Sequence, residues 1–228
     1  MNTTSLLLDF LMPRLCHLCG ERLAGSERYI CTACAARLPR TNYHRLPDNP
    51  MEQRFAGIFP FKRAAGHFFY TPASDPAILI HDLKYRHFRN LGRYLGELMG
   101  RELMTSGFLG DADRIIPVPM HFLKQGMRGY NQTEQLAIGL SAATGIPVDT
   151  SLRAVRPHKT QTRLSHAQRM DNTRGIFHLK NPSALAGKHV VLLDDVCTTG
   201  ATLTSAAEAM LTDCPGLRIT LLTLAVTF

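Results

Sequence analysis

No apolar run in this 228-residue chain approaches the roughly 18 residues that cross a bilayer, which excludes a helical membrane span. A basic leader is missing as well. The start, from Ser5 to Met12, carries Asp9 and no Lys or Arg, so the expectation is a short amphipathic helix and a cytoplasmic protein, without a signal peptide. Low-complexity tracts are absent, and hydrophobic residues make up 45% of the chain, which excludes a disordered polymer and leaves a globular one. Tryptophan is absent too, and that excludes no class of function. Acidic residues are scarce where basic ones gather. Residues 84–180 hold fifteen Lys and Arg against seven Asp and Glu, while the rest of the chain holds eleven of each. The formal charge of +8 therefore belongs to the middle of the chain, where it suits a polyphosphate substrate or a nucleic acid.

One stretch organises the rest. Val190-Val191-Leu192-Leu193 reads as a buried parallel strand, and the paired acids Asp194 and Asp195 follow where it should end. Val196, Cys197, Thr198, Thr199, Gly200, Ala201 and Thr202 then form a small, hydroxylated loop leading into a helix-forming run from Leu203 to Leu211. Strand, small-residue loop and helix N-terminus together make an anion cradle. Free N–H groups of the first helical turn point at the loop, threonine hydroxyls add donors, and Gly200 permits close backbone approach. Carboxylates cannot bind the phosphate themselves, but beside such a site they hold sugar hydroxyls or a hard divalent cation such as Mg²⁺. The stretch resembles the binding motif of type I phosphoribosyltransferases, with Cys197 standing where that motif carries an aliphatic or aromatic residue. The plain alternative is an ordinary strand, turn and helix with two solvated acids.

Six cysteines are present, and four are paired in sequence: Cys16 with Cys19, and Cys31 with Cys34, eleven residues further on. Four thiolates at this spacing can close a tetrahedral zinc shell, with Gly20 easing the turn after Cys19. Two disulfides are the rival reading, disfavoured in a chain without an export signal. A full sulfur shell leaves no open catalytic position. His17 is expected to point to solvent, and Cys197 and Cys214 stand apart. Residues 42–53, with Pro47 and Pro50, read as a linker, which divides the chain into a module over 1–45 and a larger domain over 55–228.

Further along, Ile58 to Phe61 and His67 to Tyr70 suit a hairpin or edge strands. Asp75-Pro76 starts a helix, and two helices carry Ile78 through Met99. Between them, residues 84–89 are basic with aromatics interleaved, a pattern that fits either nucleic-acid contact or a solvated helix face. Asp113 to Val118 is the next buried strand. After it come Pro119, Met120, His121, Lys124 and Arg128, and then Asn131 with Glu134 capping a helix that Gly145 stops. A second anion site facing the first follows from that arrangement. The polar, basic stretch 153–172 is long enough to be a functional lid.

The ordered set of the two CxxC pairs, His81-Asp82-Leu83-Lys84-Tyr85, Ile116-Pro117-Val118-Pro119, Arg128-Gly129-Tyr130-Asn131-Gln132, Gln161-Thr162-Arg163-Leu164-Ser165 with Arg169 and Asn172, and Asp194-Asp195 resembles the ComF family over nearly the whole chain. That resemblance implies a Rossmann-like α/β fold of the type I phosphoribosyltransferase kind, a mainly parallel sheet flanked by helices, with a small N-terminal zinc module built on four cysteines. It implies phosphoribosyl pyrophosphate (PRPP) or ribose 5-phosphate as ligand. Residues 196–202 would take the 5-phosphate and Asp194 and Asp195 the ribose hydroxyls, with Mg²⁺ bridging ribose and pyrophosphate. Pro119, Met120 and His121, with Lys124 and Arg128, would hold the pyrophosphate, and a closing lid would add Gln161, Arg163 and Arg169. The competence members of the family imply a link to DNA uptake, single-stranded DNA and competence proteins as partners. A non-catalytic DNA-handling protein and a PRPP-sensing scaffold are the alternatives.

Overall fold

The computed structural model describes residues 13–86, 88–120, 126, 128–155 and 175–227. Six strands are present among them: β1 (Arg63–Phe69), β2 (Arg114–Pro117), β3 (Leu152–Ala154), β4 (Phe177–Leu179), β5 (His189–Cys197) and β6 (Arg218–Val226). Four make one parallel sheet in the order β1-β6-β5-β2, and β3 and β4 pair antiparallel as a separate ribbon. The central strands are aliphatic on both faces. Val190 to Leu193 and Leu221 to Leu222 are fully buried, as a parallel strand covered by helices on either side requires.

The helices are α1 (Thr32–Arg37), α2 (Pro50–Phe55), α3 (Asp75–Tyr85), α4 (Arg89–Met104), α5 (Gln132–Thr144) and α6 (Ala201–Asp213). Each boundary that matters has a local cause. Asn131 accepts from the Thr133 amide at 3.1 Å to start α5, and Gly145 at φ +75° closes it, as the sequence suggests. At α3 the cap is Ser74 rather than Asp75: its hydroxyl accepts from the Ala77 amide, and Asp75 and Pro76 form the first turn. Helices α4 and α5 cross at glycine. A Cβ on Gly96 would stand 2.1 Å from the Leu136 carbonyl oxygen, and one on Gly139 would stand 1.9 Å from that of Arg93. Only backbone-to-backbone contact fits there.

Residues 42–53 are not a linker. Asn49 is buried, and its amide group donates to the carbonyls of Tyr43, Leu46 and Ala64 while its oxygen caps α2. Met51 and Phe55 on α2 are fully buried. The prolines and polar residues read as linker chemistry are here a proline at the helix start and a buried asparagine tying three carbonyls. Just before this segment, Arg40 forks onto Glu102 of α4 at 2.8–3.0 Å, and residues 39–41 hydrogen-bond along the outer edge of β1. The edge strand expected in this region is thus present as β1 and covered. Residues 58–61 form a turn in place of the expected strand, packing Phe59 and Phe61 against Phe55.

The ribbon of β3 and β4 spans the two ends of the stretch expected as a lid, and Arg153 itself lies in β3. Gln161, Arg163 and Arg169 lie outside the described residues, as do His121 and Lys124.

Gly139→Ala should destabilise the chain by about 1–3 kcal/mol, the scale of forcing atoms into a packed contact. Chemical denaturation checks it, and an unchanged midpoint would show that the two helices can part without cost.

Candidate functional site

Asp194 and Asp195 end up at the carboxyl end of β5, between β6 and β2, and both are buried. Ile115 of β2 pairs with Val191 of β5 on one side and bridges Val148 on the other, while β5 leads through α6 to β6. The chain therefore leaves β2 and β5 in opposite directions. Beyond the carboxyl ends of such strands is where open α/β sheets form their crevice. Pro119 follows directly, since the Val118 amide donates to the Leu193 carbonyl at 2.8 Å and sets the end of β2 beside the acids.

The two acids are held differently. Asp195 faces Lys84 of α3, whose ammonium lies 2.9 Å from Oδ2, and the Gln132 side-chain amide donates to the same oxygen at 2.9 Å. Burial opposes the charge on Lys84, but Asp195, and Asp194 behind it, hold its affinity for the proton above the ordinary value. Asp194 accepts the amide of Asp195 at 2.8 Å. Burial first, and then the charge of Asp195, push the Asp194 carboxyl up to about 8.

Asp194 shares one cleft with Val196, Cys197, Thr198, Thr199, Gly200, Ala201, Thr202 and Leu203. No side chain caps α6 at Gly200; the Thr199 hydroxyl reaches only the Ala201 amide, at 3.4 Å. The first-turn amides of Thr202 and Leu203 precede the intrahelical ladder and are available to an anion. Gly200 has two reasons to be glycine: its φ is +84°, and a Cβ there would meet the Phe55 ring at 2.8 Å. Arg54, the residue before that ring, donates to the carbonyls of Thr198 and Thr227 and lies 3.5 Å from the Cys197 sulfur. Helix α2 thus buttresses the loop from behind. Cys197 is buried under it, its thiol pushed up by that burial.

Arg128, expected at the second anion site, stands over the Tyr85 ring at 5.1 Å and donates to the Gln132 side-chain oxygen at 3.4 Å. The 84–89 run is therefore no simple solvated face. Lys84 turns inward to the acids, Arg86 pairs with Asp82 at 3.3 Å, and Arg89 donates to the Gly129 carbonyl at 2.8 Å. Lys84, Gln132 and Arg54 were not among the residues expected at the site. Lys84 and Gln132 lie inside quoted motifs, but nothing in their spacing says which side chain turns inward.

The phosphoribosyl transferase domain family matches residues 108–225, just over half of the chain. The chain belongs to that family. Over a greater length it is similar to the DNA utilization protein YhgH of Salmonella typhimurium, 31% identical over 212 residues that cover 88% of this chain and 92% of the relative. The protein of the same name from Escherichia coli strain K12 is 31% identical over 217 residues. Competence protein F of Haemophilus influenzae is 32% identical over 150 residues, 64% of each chain. These relatives and the matched domain make it a ComF-family, phosphoribosyltransferase-like protein.

The cysteine pairs of this ComF-family chain converge. The sulfurs of Cys16, Cys19, Cys31 and Cys34 all lie within 4.8 Å of one another, so the four residues could hold a metal ion. Backbone amides point at the sulfurs, from Cys31 to Cys16 at 3.3 Å and from Cys34 to Cys31 at 3.4 Å. Burial opposes a thiolate at Cys16, yet the backbone amides of Cys19, Cys31 and Leu18 bring it down to about 6, whereas burial and the neighbouring sulfurs push Cys34 up to about 12. A dication among the sulfurs relieves that crowding, and four thiolates are the donor set of a closed, structural zinc. Gly20 takes φ +74°, the turn expected after Cys19. His17 does not point to solvent: its Nδ1 is 2.9 Å from Asp82 of α3, and its ring meets Phe88 edge-on at 4.7 Å. The cysteine knuckle is seated on the helix that carries Lys84.

Purified protein should contain about one zinc per chain, and stripping it with a chelator should expose residues 14–38 to amide exchange. A metal-free preparation with full protection there would refute the structural role. Asp194 also predicts a pH dependence. Its raised value means that its proton stabilises the fold below about pH 4 and that this contribution is lost as the pH rises through about 8. Asp194→Asn has no such proton to lose. In the ligand-free protein its melting temperature should therefore gain on the wild type across that window; a constant difference would contradict the buried, protonated carboxyl.

Proposed function

We propose that the chain binds PRPP with Mg²⁺ and transfers its phosphoribosyl group, in a process linked to competence or DNA use. The observation that carries this reading is that Asp194 and the loop 196–203 line one cleft at the carboxyl end of β5. The loop supplies uncapped helix amides and threonine hydroxyls for the 5-phosphate, and the acids supply acceptors for the ribose 2- and 3-hydroxyls. Asp194 and Asp195 are the carboxylates that would hold a Mg²⁺, which would supply positive charge to offset that of the diphosphate.

In such a transfer the C1–pyrophosphate bond breaks as positive charge grows on the sugar and negative charge on the leaving group. The residues of this chain bind and orient: the loop fixes the 5-phosphate, and Asp194 and Asp195 fix the ring. We assign Arg128 and the backbone at Pro119 and Met120 to the departing pyrophosphate, in line with their motif positions after β2. His121, Lys124, Gln161, Arg163 and Arg169 belong to the same proposal through their places in the family motifs. The link to DNA rests on what the relatives are called, the DNA utilization protein YhgH and competence protein F, with the acceptor of the phosphoribosyl group left to experiment.

Calorimetry with PRPP and Mg²⁺ should give saturable binding to the wild type. The double variant Asp194→Asn, Asp195→Asn should lose at least about 30-fold, since a hydrogen bond to the charged Asp195 is worth about 1.5–3 kcal/mol and one to the protonated Asp194 about 0.5–1.5 kcal/mol. Affinity retained within about threefold in a folded double variant would remove the ribose from this place. Pyrophosphate release over a panel of bases and amines then separates transferase from sensor.

A further inference from the structure

Lys84 and Arg128 come from different elements and meet around one side chain, Gln132, which lies on the Asp195 carboxylate. Lys84 lies 2.9 Å from Asp195 Oδ2. Gln132 donates to that same oxygen at 2.9 Å and accepts from Arg128 at 3.4 Å. Arg128 also sits over the ring of Tyr85, the residue following Lys84. The two cations are near enough for Arg128 to oppose the charge on Lys84. Lys84 has Asp195 as its anion while Arg128 reaches that pair only through the Gln132 side chain, so an added anion would find both cations beside it. Asp195, which Lys84 holds, lies two residues past the Pro117–Leu193 pair where the pairing of β2 with β5 ends.

We propose that Lys84 is a diphosphate-binding residue that exchanges partners. In the free chain its ammonium holds Asp195. When ribose hydroxyls and Mg²⁺ take that carboxylate, the ammonium moves to the diphosphate oxygens beside Arg128. Lys84 and Asp195 are then neutralised in both states, so the exchange leaves no buried charge alone. The inference rests on the PRPP reading and adds a selectivity to it: Lys84 favours ligands carrying a diphosphate over those with the 5-phosphate alone.

The test is calorimetry in Mg²⁺ with three probes, PRPP, inorganic diphosphate and ribose 5-phosphate, on the wild type, Lys84→Gln and Lys84→Arg. Lys84→Gln should weaken PRPP and diphosphate at least about tenfold and ribose 5-phosphate less than about threefold, with Lys84→Arg recovering part of the loss. An equal loss for all three probes would make Lys84 only a prop for Asp195 and overturn the proposal. So would unchanged PRPP affinity in Lys84→Gln while the wild type binds. A wild type that binds neither sugar phosphate removes the PRPP reading itself, and this inference with it. Should Lys84→Gln fail to fold, Asp195→Asn is compared with Asp195→Asn, Lys84→Gln, in which neither variant buries a bare carboxylate. The same tenfold loss of diphosphate supports the proposal and no loss overturns it.

Discussion

Two neighbouring carboxylates are buried at the end of a strand, and the fold is arranged so that they can stay there. A buried charge without a partner is among the most destabilising features a core can carry. Here the cost is offset from two sides, by the Lys84 ammonium and the Gln132 amide on Asp195. Asp194 has the Asp195 amide and the Thr133 side chain, which do not outweigh its burial, and it responds by holding its proton. The compensation requires α3 to be seated firmly. The Tyr130 hydroxyl donates to the Leu83 carbonyl, one residue before Lys84, and His17 holds Asp82 two residues before it. A single helix thus joins the cysteine cluster to the acids: its outer side receives the knuckle, its inner side supplies the lysine.

The matched family segment, 108–225, contains the acids, the loop and Gln132, but not everything that steadies them. Lys84 and Arg54 both come from the part of the chain before it. Arg54 and Phe55 brace the loop against its own backbone carbonyls and against Gly200, whose left-handed geometry leaves room for the ring. A glycine at that place is usually credited to the phosphate side alone. In this protein the ring behind it is a second constraint, and it ties the loop's shape to a segment that, by composition, belongs to neither domain.

What could be read from the sequence was whatever depends on the chain's own neighbours. The aliphatic run before Asp194, the glycine-containing loop, the Asn131 cap with its Gly145 stop, and the CxxC spacing are all local, and the structure contains each of them. The parallel sheet follows from them, because buried aliphatic strands separated by helices have few other arrangements. What could not be read depends on distant partners. Asn49 reads as a turn residue until its three carbonyl partners are brought to it, and Arg54 reads as surface until Thr227, from the far end of the chain, lies beside it. His17 differs from a solvated histidine through Asp82, 65 residues on, and the Phe88 ring beyond it. Among the described residues of 84–89 only Lys84 turns inward, and which member of the run does so depends on Asp195, far along the chain.

That last point bears on what the positive middle of the chain is for. A surface that tracks a nucleic-acid backbone needs cations in an outward row, with aromatic faces open between them. In the described part of this region the cations are mostly engaged inward or locally: Arg86 with Asp82, Arg101 with Glu97, Arg89 on the Gly129 carbonyl, Arg93 on Gln135. The exposed Tyr85 already has Arg128 over its ring. Lys84 and Arg128 instead meet beside Asp195, joined through the Gln132 side chain. A compact, multiply charged anion suits such a pair better than a polymer does, in keeping with the polyphosphate ligand proposed above.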